Sequence, residues 1–309
     1  MISEFFPLFI LIGSLVFDLL LGEFPNKFHP VVWMGTYIKF LWSFRFRKSS
    51  LTLFFWGCLI VCSGVSIFTI IPILLLKFLP LIFSLLLAIL MLTSVFSIKA
   101  LIKAGKEVKM ALEQENLNEA RELTAWHLVS RDMSELEEEE IVSAVIESLA
   151  ENITDGFFSP LFYFSLGGIP AAWAYRFINT SDSLIAYRKD DFEWGGKMTA
   201  WCDSVLNWIP SRLTGLIICF SAFIVGEDWK NSLKVMLKQH RKTSSPNAGW
   251  TMAAMTGALN IQLEKKGEYL LDGGNKVCEF QLIDRAIKIV ITSIIVIILF
   301  SIILLEVLN

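Results

Sequence analysis

Three polar clusters interrupt long apolar stretches in the middle of this chain. They read Glu147-Ser-Leu-Ala-Glu-Asn-Ile-Thr-Asp-Gly156, Asn179-Thr-Ser-Asp-Ser183 and Asp203-Ser-Val-Leu-Asn-Trp-Ile-Pro-Ser-Arg212. Carboxylates, amides and an arginine are costly beside hydrocarbon, so a membrane protein keeps them chiefly for function. Asp oxygens and amide oxygens suit a hard cation such as Mg2+, usually held by one or two carboxylates and by substrate phosphates. Arg212 offers a planar fork for phosphate or carboxylate. Asn152, Asn179, Asn207 and Asn247 can orient polar groups of a substrate, and each also suits a helix cap or turn. These residue types fit phosphoryl or acyl chemistry on a polar substrate better than redox chemistry.

Other chemistries lack their motifs. Gly195-Gly-Lys-Met has neither the spacing nor the Ser/Thr of a phosphate-binding P-loop, and G-x-G-x-x-G, G-x-S-x-G and H-E-x-x-H are missing from the sequence. His29, His127 and His240 are far apart in sequence, which argues against a metal built on histidines. His29 stands out, held between Phe28 and Pro30 just after the first apolar run, whereas His127 reads as a structural, mid-helix residue. Cys58 and Cys62 form C-x3-C in an apolar run, with no ligand-rich partner motif nearby. With Cys202, Cys219 and Cys278 they read as small buried apolar residues rather than a zinc site. A net charge of −3 offers no basic footprint for nucleic acid.

The elements that must position these groups are largely membrane helices. Of 309 residues 54% are hydrophobic and only 18% charged, against about 25% in soluble domains. A spanning helix needs roughly 20 mostly apolar residues. The uncharged runs 51–76, 78–98 and 289–305 meet or approach that length, and 5–21 is a shorter fourth, with Asp18 near its end. The first run lacks a basic flank, so it is expected to be a retained anchor rather than a cleaved signal. Two segments stay ambiguous. Residues 157–175 contain Pro160, Gly167, Gly168 and Pro170, and 205–225 contain Asn207, Pro210 and Arg212; each spans, re-enters or packs inside the protein.

The expected fold is an all-α, polytopic membrane protein with four to six membrane helices and cytoplasmic helical segments. Residues 1–98 would form N-terminal membrane helices, 99–285 a helical catalytic region with the two broken or re-entrant segments, and 286–309 a C-terminal membrane helix. Lys39, Arg45, Arg47 and Lys48, then Lys99, Lys103, Lys106 and Lys109, place two loops in the cytoplasm by the positive-inside rule. If neither ambiguous segment spans, Asp155, Asp182 and Asp203 share the cytoplasmic side. Within 99–155, Asn116 or Asn118 can cap a helix from Glu119, and Ser134 to Glu137 fits a capping box. The acids Glu137 to Glu140 suit a helix start, and are otherwise read as solvated. In the next helix Ile141, Val142, Val145, Ile146 and Leu149 share a face, leaving Glu147, Glu151 and Asp155 opposite. That acidic stripe is either a solvated face or part of a site. Farther on, 226–239 reads as a helix with Lys230, Lys234 and Lys238 on one side, 244–249 as a turn, and 250–259 as a close-packing, small-residue helix.

The chain resembles the CobD/CbiB family of adenosylcobinamide-phosphate synthases. Phe17-Asp-Leu-Leu-Leu-Gly-Glu23 and His29-Pro-Val-Val-Trp-Met-Gly35 look like the family's opening; Ala120-Arg121 and Arg131-Asp132 follow. The three polar clusters come next in family order, with Pro160-Leu-Phe between the first two. Ser245-Pro-Asn-Ala-Gly-Trp250 and Ala253-Ala-Met-Thr-Gly-Ala-Leu259 complete the set, so the likeness runs from about residue 17 to 260. It implies a cell-membrane ligase of cobalamin biosynthesis. Such enzymes join the propionate carboxyl of adenosylcobyric acid to aminopropanol or aminopropanol phosphate, with ATP consumed and Mg2+ as metal. It also leaves room for a complex with other corrinoid-assembly enzymes. Carried onto this sequence, Glu151 and Asp155 would hold metal. Asp182, Asp203 and Glu147 would be the catalytic carboxylates, the first two as further ligands or base. Arg212 would grip phosphate, with His29, Asn152, Asn179, Asn207 and Asn247 on substrate.

Departures from the family pattern are Ser204 in place of a second Asp, Thr251-Met252 in place of Pro-Glu, Ser130 for Gly, Leu184 for Met, and Ser244 for a basic residue or His. Two lost carboxylates leave open a diverged paralogue. A corrinoid transporter and a non-catalytic membrane scaffold are the competing classes.

Overall fold

The computed structural model describes residues 6–45, 49–128, 135–186 and 190–308, with backbone alone at 190 and 191. In chain order the elements are α1 (Phe6–Leu21), α2 (Pro30–Ser43), α3 (Ser50–Phe78), α4 (Leu81–Thr93), α5 (Ile98–Glu113), α6 (Leu117–His127), α7 (Glu138–Ile153), a π turn (Thr154–Phe158) and α8 (Ser159–Ile185). There follow α9 (Asp190–Gly195), α10 (Lys197–Leu206), α11 (Trp208–Ile224), α12 (Trp229–Gln239), α13 (Ala248–Leu259), β1 (Gln262–Lys265), β2 (Tyr269–Asp272) and α14 (Gln281–Leu308). The protein is an all-α membrane protein whose described strands form one short antiparallel hairpin, unforeseen in the sequence.

Among the described residues, Ser50–Phe78, Leu81–Glu113 and Gln281–Leu308 are long and apolar enough to cross a membrane. Helices α10 and α11 pass the same test together but bend by 49° at their junction, which makes them a broken span or a re-entrant loop. Helix α1 is apolar but short. Helix α8 is not continuous: Gly167 (φ −148°, ψ 21°) and Gly168 (φ +66°, ψ −160°) break it, with Pro170 just beyond. Pro170 lacks the N–H that would re-form the helical ladder at once.

Contacts divide the chain into two compact units. The first comprises Met1–Ser97, Ser159–Leu206 and Ser301–Asn309. Here α8 packs on α2, α3, α4 and α10, and α1 lies against α4. Small residues allow close approach: a Cβ on Gly57 would lie 1.9 Å from the Gly195 carbonyl oxygen, and one on Gly64 the same distance from the Phe177 ring. The second unit comprises Ile98–Phe158 and Asn207–Phe300. In it α13, buried at every residue from Thr251 to Leu259, is packed by α7, α11 and α12. Cβ atoms on Gly249 and Gly257 would collide with backbone atoms of α12 and its C-terminal cap. The Glu227 carboxylate takes two hydrogen bonds from the Arg285 guanidinium.

Several local expectations change. Asn116, not Asn118, caps α6, its side-chain oxygen accepting from Glu119 N–H at 3.3 Å. His127 ends α6 rather than sitting mid-helix. Glu140 is more than a solvated acid, since it accepts from the Glu137 N–H at 3.0 Å and pairs with Lys266. Helix α12 begins at Trp229, because Gly226 (φ +80°) turns the chain and Asp228 caps the helix through Asn231 N–H at 2.9 Å. Cys219 and Cys278 are buried as expected, but Cys58 and Cys202 are half-buried and Cys62 is exposed. Arg47, Lys48, Arg131, Asp132, Ser130 and the Ser134 box lie outside the described residues.

Candidate functional site

Within the second unit the acidic stripe sits where a helix changes pitch. Helix α7 is apolar and buried around nearly its whole circumference from Ile141 to Ile153; only Glu147, Glu151 and Asn152 are half-buried. Serine and alanine at 143, 144, 148 and 150 let neighbours approach from every side, so the stripe is a narrow polar seam and not a broad solvated face. The π turn then widens the helix, which holds Asp155 near the line of Glu151 rather than letting it drift as in a continuous α-helix. Single π turns of this kind recur at functional sites. Asn152 is anchored: its amide donates to the Ser148 carbonyl at 2.9 Å and to Ser148 Oγ at 3.2 Å.

The π turn packs against α11, the helix that carries Arg212. The Arg212 guanidinium lies over the Trp208 ring at 4.2 Å and over the Trp250 ring at 4.9 Å. Its Nη1 donates to the Trp208 carbonyl at 2.6 Å and to Asn247 Oδ1 at 3.2 Å. Trp250 in turn stacks on His240 at 4.0 Å. Asn247 is buried and its side chain does not cap α13; Ser245 Oγ receives the N–H groups of Asn247 and Ala248 instead, each at 3.2 Å. Asn207, also buried, stands at the bend before α11, and its side chain does not cap that helix either. Of the cap-or-turn reading, side-chain capping fails at both asparagines, while both do stand in turns. Met252, one of the departures from the family pattern, is 2% exposed inside α13, where an ionised glutamate would need a partner.

The first unit holds the other candidates. Asn179 is buried on α8, accepts from Arg176 Nη1 at 3.2 Å, and donates to Asp203 Oδ1 on α10 at 3.3 Å. Asp182 lies half-buried three residues beyond Asn179 on the same helix. His29 caps α2, its Nδ1 accepting from Val31 N–H at 3.2 Å, and meets the Phe24 ring edge-on at 6.0 Å. Burial pushes the His29 imidazole below its ordinary value; Glu23 opposes this, and the positive charge of Arg176 adds to it. Tyr163 stacks on Tyr175 at 5.3 Å and donates to the Leu206 carbonyl at 2.8 Å, pinning the end of α10.

The candidates thus fall into two sets. Glu147, Glu151, Asn152, Asp155, Asn207, Arg212 and Asn247 belong to the second unit, and His29, Asn179, Asp182 and Asp203 to the first. The structure adds Arg176, Trp208 and Trp250, which the sequence reading gave no role. Arg176 was findable: it stands three residues before Asn179, the spacing that puts both on one helix face. Among the described residues no three His, Cys, Asp or Glu side chains are grouped to cage a metal. Glu151 on α7 and Asp155 in the π turn are two carboxylates four residues apart; one or two carboxylates completed by substrate phosphates is a donor set that suits Mg2+.

Comparison with known proteins gives one family throughout. The family model described as CobD/Cbib protein matches residues 11–294. The "Probable cobalamin biosynthesis protein CobD" of Methanothermobacter thermautotrophicus is 38% identical over 262 residues, 85% of this chain and 86% of that protein. The "Cobalamin biosynthesis protein CobD" of Dehalococcoides mccartyi is 39% identical over 268 residues, with 85% and 86% covered. That of Leptospira interrogans is 39% identical over 253 residues, with 81% and 80% covered. No solved structure matches the chain.

Proposed function

This chain belongs to the CobD/CbiB family, and from that premise we propose that it acts in cobalamin biosynthesis as a membrane ligase. The reaction is ATP-dependent amide formation between the propionate carboxyl of adenosylcobyric acid and aminopropanol or its phosphate. A carboxylate is a poor acyl donor, because its leaving group would be an oxide; phosphorylation supplies a better one. The amine then attacks the carbonyl carbon, phosphate departs, and the ammonium proton passes to a base.

The observation that carries this reading is Arg212 on α11, a helix packed against the Asp155 turn, with its guanidinium over the Trp208 and Trp250 rings and bonded to Asn247. A preorganised fork loses little entropy on gripping an oxyanion. Glu151 and Asp155 would hold Mg2+, which shields phosphate charge. In the first unit Asp182 or Asp203 supplies the base, and in the second Glu147 is the remaining catalytic carboxylate. Asn152 and Asn207 orient substrate with His29, Asn179 and Asn247. The basic segments around Lys39 and Lys103 support a cytoplasmic location for this chemistry by the positive-inside rule.

The test is the purified full chain with adenosylcobyric acid, ATP, Mg2+ and either free or phosphorylated aminopropanol. Mass spectrometry should find the corresponding cobinamide, with ADP released in equal amount. ATP and corrinoid recovered unchanged under conditions where a homologue turns over would overturn the ligase reading.

A further inference from the structure

Helix α12 and the residues just past it read Trp229-Lys-Asn-Ser-Leu-Lys-Val-Met-Leu-Lys-Gln-His-Arg-Lys242, a stretch rich in Lys and Arg with no Asp or Glu. Ser232, Val235 and Met236 are buried where the helix packs on α11 and α13. At about 100° per residue, Lys230, Lys234 and Lys238 stand on the other side, all exposed, with the exposed Leu237 among them. Arg241, also exposed, follows just beyond the helix. Among the described residues none of these four cations makes an ion pair. We propose that this face of α12 docks on the anionic phospholipid headgroups at the surface of the bilayer; the proposal does not depend on the ligase reading.

Two ties within the second unit fix the start of α12 at the membrane edge. Glu227 Oε1, in the turn before the helix, accepts from Arg285 Nε on α14 at 2.7 Å. Arg285 stands four residues before Ile289, where the uncharged stretch of α14 begins, or about 6 Å along a helix. Farther into that stretch, Ser293 Oγ donates to Ser221 Oγ on α11 at 3.0 Å. The end of α11 therefore follows a helix long and apolar enough to span, and leaves it at its charged edge. Exposed apolar side chains mark the same level. Phe223 and Ile224 close α11, and the exposed Trp229 meets the Phe223 ring edge-on at 6.0 Å. Tryptophan is enriched at the boundary between lipid and water. From that boundary α12 carries one lysine per turn on its outer side, and Lys230 to Lys238 cover about 12 Å. A row of ammoniums that long matches a plane of phosphates, not one small anion. Lysine stems can lie along apolar surface while their heads reach headgroup phosphate. Basic segments beside a span are drawn to anionic lipid in this way.

The experiment places the full-length chain in lipid nanodiscs, made of phosphatidylcholine alone or with phosphatidylglycerol. Lysines are acetylated with a water-soluble reagent, and the rate at each is read by mass spectrometry. Lys234 and Lys238 should react roughly fivefold more slowly in the phosphatidylglycerol discs, the weight of one lysine at an anionic surface. High salt should remove that protection. Lys266, 74% exposed on the hairpin, is the internal reference and should react alike in both discs. A second readout is the melting temperature of the detergent-solubilised chain titrated with phosphatidylglycerol. Wild type is compared with the combined Lys230→Gln, Lys234→Gln and Lys238→Gln variant, which should need at least about tenfold more lipid for half the rise. All three side chains are exposed, so the variant should fold. Equal acetylation of Lys234 and Lys238 in the two discs, or a variant that titrates like wild type, overturns the proposal. Protection by soluble glycerol phosphate as strong as that by the lipid also overturns it, and assigns the face to a small anion.

Discussion

Asn179 donates from Nδ2 to Asp203 Oδ1 at 3.3 Å, and this bond ties α8 to α10 across the first unit. Asn179→Ala leaves both Arg176 and Asp203 short of a partner, a cost of about 1–3 kcal/mol where the groups are shielded from water. The melting temperature should drop by several degrees. Asp203→Asn separates stability from chemistry, because an amide oxygen can still accept from Asn179. It should melt close to wild type while turnover falls about a hundredfold or more, the usual loss of a general base. Full turnover in D203N would remove Asp203 from the catalytic set.

Arg212 is held by faces as well as by hydrogen bonds. Two indoles at 4.2 and 4.9 Å accept its charge, and Asn247 takes one N–H. Lysine cannot stack in this way. Arg212→Lys should therefore act almost as severely as Arg212→Gln on substrate KM, with about 0.5–2 kcal/mol of stability lost. A double-mutant cycle with Trp250→Leu should show coupling of at least about 0.5 kcal/mol in thermal melts. Strict additivity would mean that the indole contact contributes nothing.

The spans were legible because hydrocarbon thickness imposes a length, and the uncharged runs at 51–76 and 289–305 sit inside α3 and α14. The polar clusters were legible because charge is rare in such company. Cys62 was misread for a related reason: an apolar residue on a spanning helix need not be buried in protein, since lipid can cover it. The π turn left no mark, as one extra residue per turn changes neither composition nor gross periodicity. The hairpin left almost none, with four-residue strands in which only Leu263 and Leu271 are buried. Its stability comes from packing on α7, α12 and α13, which is tertiary information. Arg176 stands one residue beyond the uncharged run 157–175, so the edge of that run hides it.

His29 gives the protein an acid limit. Burial holds its imidazole below the ordinary 6.5, so the unfolded chain binds the proton more tightly than the native one. Where the unfolded state carries more protons, stability rises with pH. It should therefore fall as pH drops below about 6.5 and level off once pH passes the native value. His29→Asn keeps a good N-cap for α2 but cannot titrate. The melting temperature of H29N between pH 7 and pH 5 should depend less on pH than that of wild type. Parallel curves would mean that other groups set the acid limit.

Gly168 fixes the break in α8. Its φ of +66° with ψ of −160° is a conformation that only glycine adopts without strain. A Cβ there would have room, its nearest neighbour being Pro170 Cδ at 3.7 Å, so the penalty of a substitution is in the backbone rather than in packing. Gly168→Ala should cost about 1–3 kcal/mol. The break separates Ser159–Leu166 from the stretch carrying Arg176, Asn179 and Asp182, and an alanine that straightens it would rotate those side chains relative to Asp203 on α10. The expected result is therefore a double loss, in melting temperature and in kcat/KM. Gly226→Ala serves as the control: its φ is also positive, at +80°, but it lies in a surface turn before α12, so it should lower stability while leaving the kinetics of the surviving protein unchanged. Equal kinetic effects at the two glycines would show that the break in α8 does not position the site.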